Sequence, residues 1–484
     1  MIIIIVSILF CCKECRCSSD VKNELETLER AYDADVFQMV VVYGRRRVGK
    51  TTLLTHFAQD KPTLFFTAQQ QTDADNLADF SVEIAQFFSL PPGTRFDGWD
   101  GALQFLAEQA RREPFLFVFD EFPYAAEANP SLVSKMQIAI DHHFAQTKAC
   151  LALCGSDQGF MESEVLGKKS PLHGRRTAQI RVRPFDYLTS ARMVPTVSAE
   201  DAFRYYACVG GVPYYLAQID ESRPFLDNIA DLFFSTDGLL YEEPLMLLRQ
   251  ELREPAVYNS ILRAIGSGAT RRGEIAARAG LEATAVSKYL ATLERLDIIE
   301  RVVPFGENPQ TSRKGLYRFA DACYDFWYTF VMPAVGDIEG GAGRIVAEGL
   351  SDEVLGTYLG HRFERVCSQW LLEESLAGRL PIRASSFGQW WGTDPALRQQ
   401  DDVDVVAADR ASKTALIGEC KWRNSFDETE VLEKLHHRAD LVKGYRIEFF
   451  YLFSKNPLST ATLRKMKASG DEFSVTLDDL YRHR

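Results

Sequence analysis

One stretch of the chain has the make-up of a phosphate cradle. Gly44-Arg45-Arg46-Arg47-Val48-Gly49-Lys50-Thr51 spaces two glycines, a lysine and a hydroxyl as GxxxxGKT, and Thr52 follows. Glycine lets successive backbone N–H groups turn inward around an anion. Lys50 adds a point charge for the β/γ oxygens of a nucleotide, and Thr51 a hydroxyl for Mg2+. An apolar run, residues 37–43, enters this loop, and a helical pattern over residues 50–58 leaves it. Strand, glycine turn and helix N-terminus therefore meet in the order that phosphate binding requires. ATP and Mg2+ are the expected ligand and cofactor.

An acidic counterpart follows. The apolar run 114–119 ends in Asp120-Glu121. Asp120 is expected to hold Mg2+ through its water shell, and Glu121 to orient and deprotonate an attacking water. Ser156 closes the run LALCGS, where a polar residue would report on the γ-phosphate. Arg175 and Arg176, in LHGRRT, suit either neutralisation of transition-state charge or surface ion pairing. Pro213, in Gly210-Gly211-Val212-Pro213, breaks a helical region where an adenine-side lid would sit; an ordinary interhelix turn is the alternative.

Two further constellations lie downstream. Residues 270–280 and 284–295 form two short helical patterns around a glycine turn, with Val286, Leu290 and Leu293 at helical spacing. The segments 298–305 and 315–319 supply a hairpin, completing a winged helix-turn-helix pattern. Residues 256–320 carry ten basic side chains against six acidic ones in a chain of net charge −12. Ser287, Lys288 and Tyr289 are the DNA-contact candidates, with docking to protein as the other use of such a module. Nearer the C-terminus, Asp404 lies on one strand pattern and Glu419-Cys420-Lys421 on the next. Period-two alternation puts Glu419 and Lys421 on one sheet face and Cys420 on the other.

YGRRRVGKTTL, FVFDEFPY, LCGS, SPLHGRRT and GGVPYYL, in this order, resemble the archaeal-type ATPases of the STAND branch of AAA+ proteins. The resemblance covers about residues 36–320 and continues into the C-terminal domain that accompanies such ATPases. One departure is the N-terminus: the family opens with a short F-x-G-R-E segment, where residues 2–19 stand here. The Asp404 and Glu419-x-Lys421 order resembles the metal centre of PD-(D/E)XK restriction-endonuclease-like proteins. That resemblance implies Mg2+ on Asp404 and Glu419, Glu364 as an extra ligand, and Lys421 as the catalytic cation. It leaves open whether the domain cleaves nucleic acid or only binds.

These residues require an α/β framework. Apolar runs at 37–43, 63–66, 115–119, 149–154 and 179–183 alternate with helical patterns at 50–58, 73–88, 101–111 and 132–144. This alternation predicts a parallel sheet covered by helices. The expected architecture is a P-loop NTPase sheet, a helical lid, a winged helix-turn-helix, and a C-terminal α/β restriction-endonuclease-like domain. The boundaries are an N-terminal segment 1–35, the ATPase core 36–190, the lid 191–252, the winged helix 253–320 and the C-terminal domain 321–484.

At 484 residues the chain exceeds a single core, and 46% hydrophobic with 25% charged residues is ordinary globular composition. The acidic balance excludes a wholesale nucleic-acid coat. Cys11, Cys12, Cys15 and Cys17 crowd the N-terminus without zinc spacing, and six cysteines are scattered among apolar runs, which suits a reducing compartment. The apolar start, residues 1–10, falls short of the ~20 residues of a membrane span, so a cytoplasmic location without membrane partners is expected. Three functions fit: a regulatory ATPase coupled to DNA, a metal-dependent nuclease of genome defence or mobile elements, and a non-enzymatic ATP-dependent assembly switch. The last would involve a homo-oligomer or a protein partner.

Overall fold

The computed structural model describes residues 19–482. The apolar start and Cys11, Cys12, Cys15 and Cys17 lie outside them. The chain divides into two compact units, Met1–Phe185 with Val212–Ala217, and Asp186–Gly211 with Gln218–Arg484.

In the first unit, β1 (Gln38–Tyr43), β2 (Thr63–Thr67), β3 (Leu116–Asp120), β4 (Cys150–Gly155) and β5 (Ala178–Arg181) form a parallel sheet. Their order is β2-β3-β4-β1-β5. Alternate side chains along each strand feed two separate cores. Met39, Val41, Phe117, Phe119, Leu151 and Leu153 face one, together with Phe80, Trp99 and Leu106 from the helices Asp73–Phe87 and Trp99–Arg112. Val40, Val42, Leu116, Val118, Ala152 and Cys154 face the other, against Leu28, Leu53, Leu54 and Phe57 of the helices Ser19–Tyr32 and Lys50–Ala58. Both faces being covered, inner strands have no need of a polar side, and β3 and β4 are buried end to end. The chain thus has an α/β fold with a parallel sheet whose carboxyl edge holds Gly44, Asp120 and Ser156.

The second unit opens with helices Ala199–Val209, Phe225–Phe233 and Glu243–Glu251. Three helices follow, Pro255–Gly266, Arg272–Ala279 and Ala283–Arg295, then the antiparallel pair β6 (Ile299–Val302) and β7 (Leu316–Phe319). Tyr289, expected beside Ser287 and Lys288 as a groove-facing residue, turns inward instead. It is 7% exposed, packs edge-on to Tyr258 at 5.1 Å between centroids, and donates its hydroxyl to Glu254 at 3.1 Å. The reason is periodicity: Tyr289 follows Val286 by three residues and shares the buried stripe with Leu290 and Leu293. Lys288 stays exposed, its ammonium 4.5 Å from the Tyr289 ring centre.

The helix Asp352–Leu376 leads to a second sheet of β8 (Ser386–Asp394), β9 (Gln399–Asp409), β10 (Thr414–Lys421), β11 (Arg446–Ser454) and β12 (Glu472–Thr476). Its order is β12-β11-β10-β9-β8, antiparallel from β8 to β10 and parallel from β10 to β12. β8 and β12 were not among the expected strands. Both are edge strands and largely half-exposed, and β8 carries Gly388 and Gly392, so neither shows a clean apolar alternation. Pairing with β9 and β11 makes them strands.

Candidate nucleotide site and C-terminal carboxylate pair

β1 delivers the chain into the loop at Gly44. There φ is +153°, and a Cβ would lie 2.2 Å from the carbonyl oxygen of Val182, so only glycine fits. Gly49 closes the loop at φ +96° and caps the helix Lys50–Ala58 without any side-chain hydrogen bond, leaving the first-turn amides to the loop's interior. Arg47 also holds left-handed backbone, φ +69°, which costs a non-glycine residue roughly 1–2 kcal/mol. Lys50 is 5% exposed, and its ammonium donates to the carbonyls of Gly44 at 2.9 Å and Arg45 at 3.0 Å. These acceptors are neutral carbonyls, not carboxylates.

Thr51 joins this loop to β3. Its hydroxyl donates to Asp120 Oδ2 at 2.8 Å, while Asp120 Oδ1 accepts the Glu121 N–H at 3.0 Å. Asp120 is 1% exposed, so its carboxylate is aimed by these bonds rather than by solvent. Glu121 Oε2 in turn accepts the Ser156 hydroxyl at 2.7 Å and backbone N–H at 3.1 Å. The loop threonine, both acidic residues and the serine therefore form one hydrogen-bonded line along the carboxyl edge of the sheet, where ligands of open α/β sheets bind. The threonine hydroxyl and the Asp120 carboxylate are hard oxygen donors, and the loop offers amides and an ammonium. This donor set fits a Mg2+–nucleotide pair. Burial, with Asp120 next, pushes the neighbouring Cys154 thiol well up, which keeps it neutral.

Arg175 grips Asp141 with two hydrogen bonds of 2.7 Å and holds that carboxyl below its usual range. Arg176 donates to Gln179. Pro213 starts the short helix Pro213–Leu216, and its Cγ lies 3.9 Å from the place a Cβ on Gly49 would occupy. Two tyrosines join the site that motif spacing did not single out, although both stand inside quoted motifs. Arg46 donates to the Tyr124 hydroxyl at 2.5 Å, and the Arg47 guanidinium lies 4.8 Å over the Tyr214 ring.

The C-terminal group is built differently. Asp404 on β9 and Glu419 on β10 are 9% and 7% exposed. Asp404 Oδ2 accepts the Cys420 N–H at 2.7 Å, and burial, reinforced by Glu419 and Glu364, pushes its carboxyl well above the usual range. Glu419 binds the Lys421 ammonium through Oε1 and the Arg438 guanidinium through Oε2. Arg438 also binds Asp401 at 2.7 Å. Glu364 accepts the Gln389 amide at 3.0 Å and has His361 at 3.4 Å. Among the described residues no three His, Cys, Asp or Glu side chains gather at metal-holding spacing. The Glu419 charge is met by Lys421 and Arg438, and neither Arg438 nor Asp401 carries a motif that would have marked it. Among the described residues no helix is long and apolar enough to cross a membrane.

Residues 19–219 match the model of an ATPase domain predominantly from Archaea, and residues 327–432 match a family of archaeal and bacterial proteins of unknown function. An uncharacterized protein of Methanocaldococcus jannaschii is 28% identical over 464 residues, covering 95% of this chain and 99% of its own. An uncharacterized ATP-binding protein of the same organism is 48% identical over 40 residues, 8% of this chain and 68% of its own. Among solved structures, the Walker-type ATPase of Pyrococcus abyssi covers 64% of this chain and 95% of its own, at 20% identity and a TM-score of 0.46. The match over residues 19–219 supports an archaeal-type P-loop ATPase domain, and residues 327–432 are similar to a family of unknown function.

Proposed function

We propose that this chain binds and hydrolyses ATP with Mg2+ and uses its nucleotide state to control a nucleic-acid-facing second half. The observation that carries the reading is the line Thr51–Asp120–Glu121–Ser156, which puts a metal-side carboxylate and a base-side carboxylate next to one phosphate loop. The loop amides and Lys50 bind and orient the phosphates. Thr51 and Asp120 would hold Mg2+, which would offset the negative charge that develops on the phosphate. Glu121 accepts the proton of water as its oxygen bonds to the γ-phosphorus and the β–γ bridge breaks. Ser156 keeps the Glu121 carboxylate oriented. Pro213 belongs to the lid.

The remaining parts of the reading are domain assignments: an N-terminal segment 1–35, the ATPase core 36–190, the lid 191–252, a winged helix 253–320 and a restriction-endonuclease-like domain 321–484. The order of helices and hairpin over residues 255–319, with ten basic residues against six acidic ones in 256–320, supports DNA as the partner of Ser287 and Lys288. ATP turnover by the purified chain, with and without DNA, tests the reading. Stimulation by DNA is expected; no turnover under either condition defeats it.

A second reading, metal-dependent cleavage of nucleic acid, is favoured by Asp404, Glu419 and Lys421 on adjacent strands. It requires that both D404A and K421A abolish cutting, and intact DNA and RNA after incubation of the wild-type chain with Mg2+ or Mn2+ would sink it.

A further inference from the structure

The phosphate loop keeps an arginine where its backbone favours glycine. Arg47 holds φ +69°, and its guanidinium carbon lies 4.8 Å over the centre of the Tyr214 ring. Tyr214 belongs to the short helix Pro213–Leu216, whose first residue also approaches Gly49. Two residues of the loop, Arg47 and Gly49, therefore each meet the same short segment, Val212–Ala217. That segment packs with the phosphate-loop unit, whereas Gly211 before it and Gln218 after it belong to the other unit.

We infer that Arg47 is a phosphate-responsive positioning residue: stacked on Tyr214 it holds Val212–Ala217 to the loop, and a bound triphosphate draws the guanidinium away and frees the segment. The inference rests on the ATP-binding reading above. Its physical ground is a competition between two acceptors for one cation. A tyrosine ring attracts a guanidinium through its quadrupole, without directed bonds. A phosphate oxygen carries charge and takes charge-assisted hydrogen bonds from the same fork, the stronger interaction of the two. The competitor enters the very loop that bears Arg47. A backbone strained at a non-glycine residue is tolerated where the side chain has a role that glycine cannot fill. The chain on either side of Val212–Ala217 is continuous with the second unit, so release of this segment passes the nucleotide state along the backbone.

Hydrogen–deuterium exchange of the full chain tests this without any label. It is run nucleotide-free, with Mg2+ and ADP, and with Mg2+ and a non-hydrolysable ATP analogue. The amides of Tyr215, Leu216 and Ala217 bond to the carbonyls of Val212 and Pro213, so they report the segment. Exchange there is expected to be about tenfold faster with the ATP analogue than with ADP. In R47G and in Y214L it should be fast in every state, and in Y214F, which keeps the ring, it should respond as in the wild type. Y214L lies outside the phosphate loop and serves if R47G does not fold. Equal exchange in all nucleotide states, slower exchange with the analogue, or an ATP-specific response that survives in R47G overturns the inference. Binding of a fluorescent ATP analogue to the wild-type chain separates two failures. Absence of binding removes the underlying reading, while binding with unchanged exchange removes only the role of Arg47.

Discussion

The phosphate loop of the first unit and the carboxylate pair of the second both gather charged residues on a sheet, but they hold them in opposite ways. Lys50 rests on two neutral carbonyls rather than on a carboxylate, and the helix behind it has no side-chain cap. Glu419 has each oxygen bound to an internal cation, and Asp401 shares one of them. An anionic ligand entering the first site replaces ammonium bonds to neutral carbonyls with bonds to an acceptor of opposite charge. A metal ion entering the second has to displace a partly buried ion pair, and separating such a pair is costly. Similar residue types in two sheets thus give one centre whose lysine has no carboxylate partner and one whose glutamate is already compensated.

The largest effects should come from the first centre. K50A and E121Q are each expected to lower ATP turnover by about 10²- to 10³-fold, measured as phosphate release, with E121Q still binding nucleotide. If both variants turn over at the wild-type rate, the contrast between the centres collapses. At the compensated centre, R438Q should leave Glu419 and Asp401 short of a partner and destabilise the fold by about 3 kcal/mol. The denaturation midpoint reads this loss, and the double variant E419Q/R438Q should recover part of it. An R438Q midpoint equal to wild type would mean that the ion pair contributes nothing to compensation.

Smaller changes refine the picture. S156A removes a hydroxyl worth about 1 kcal/mol from Glu121, so turnover should fall several-fold, with nucleotide affinity unchanged. An increase in turnover would mean that Ser156 restrains Glu121 instead of aligning it. The smallest effect is on pH dependence in the second unit. Burial, then Asp186, pushes the Glu373 carboxyl up to about 8. A carboxyl raised above its unfolded value stabilises the fold fully below the ordinary carboxylate pKa, and that contribution declines as pH rises toward about 8. The denaturation midpoint should therefore fall across this window, and E373Q should flatten the fall. An unaltered slope in E373Q would place the effect on another group.

Much of the first unit was legible because its signals are local. Residues 37–43, 115–119 and 149–154 are apolar on both faces, and inner parallel strands are the elements that bury both faces. The helix Lys50–Ala58 was read with the same bounds because the glycine turn dictates where it starts. Tyr289 follows Val286 by three residues and so falls on the buried stripe, a placement its polar hydroxyl masks. β8 and β12 escaped because an edge strand is defined by its neighbour rather than by its own pattern.

The sequence alone determined that a GxxxxGKT loop would lie between a strand and a helix, because backbone conformation there follows from glycine positions and hydrophobic period. Only tertiary structure decided what each charge faces: Arg175 met Asp141, Arg438 met Glu419 and Asp401, and Arg47 met Tyr214. Partners 34, 19, 37 and 167 residues apart along the chain are chosen by how strands and helices pack, and no local pattern encodes that choice.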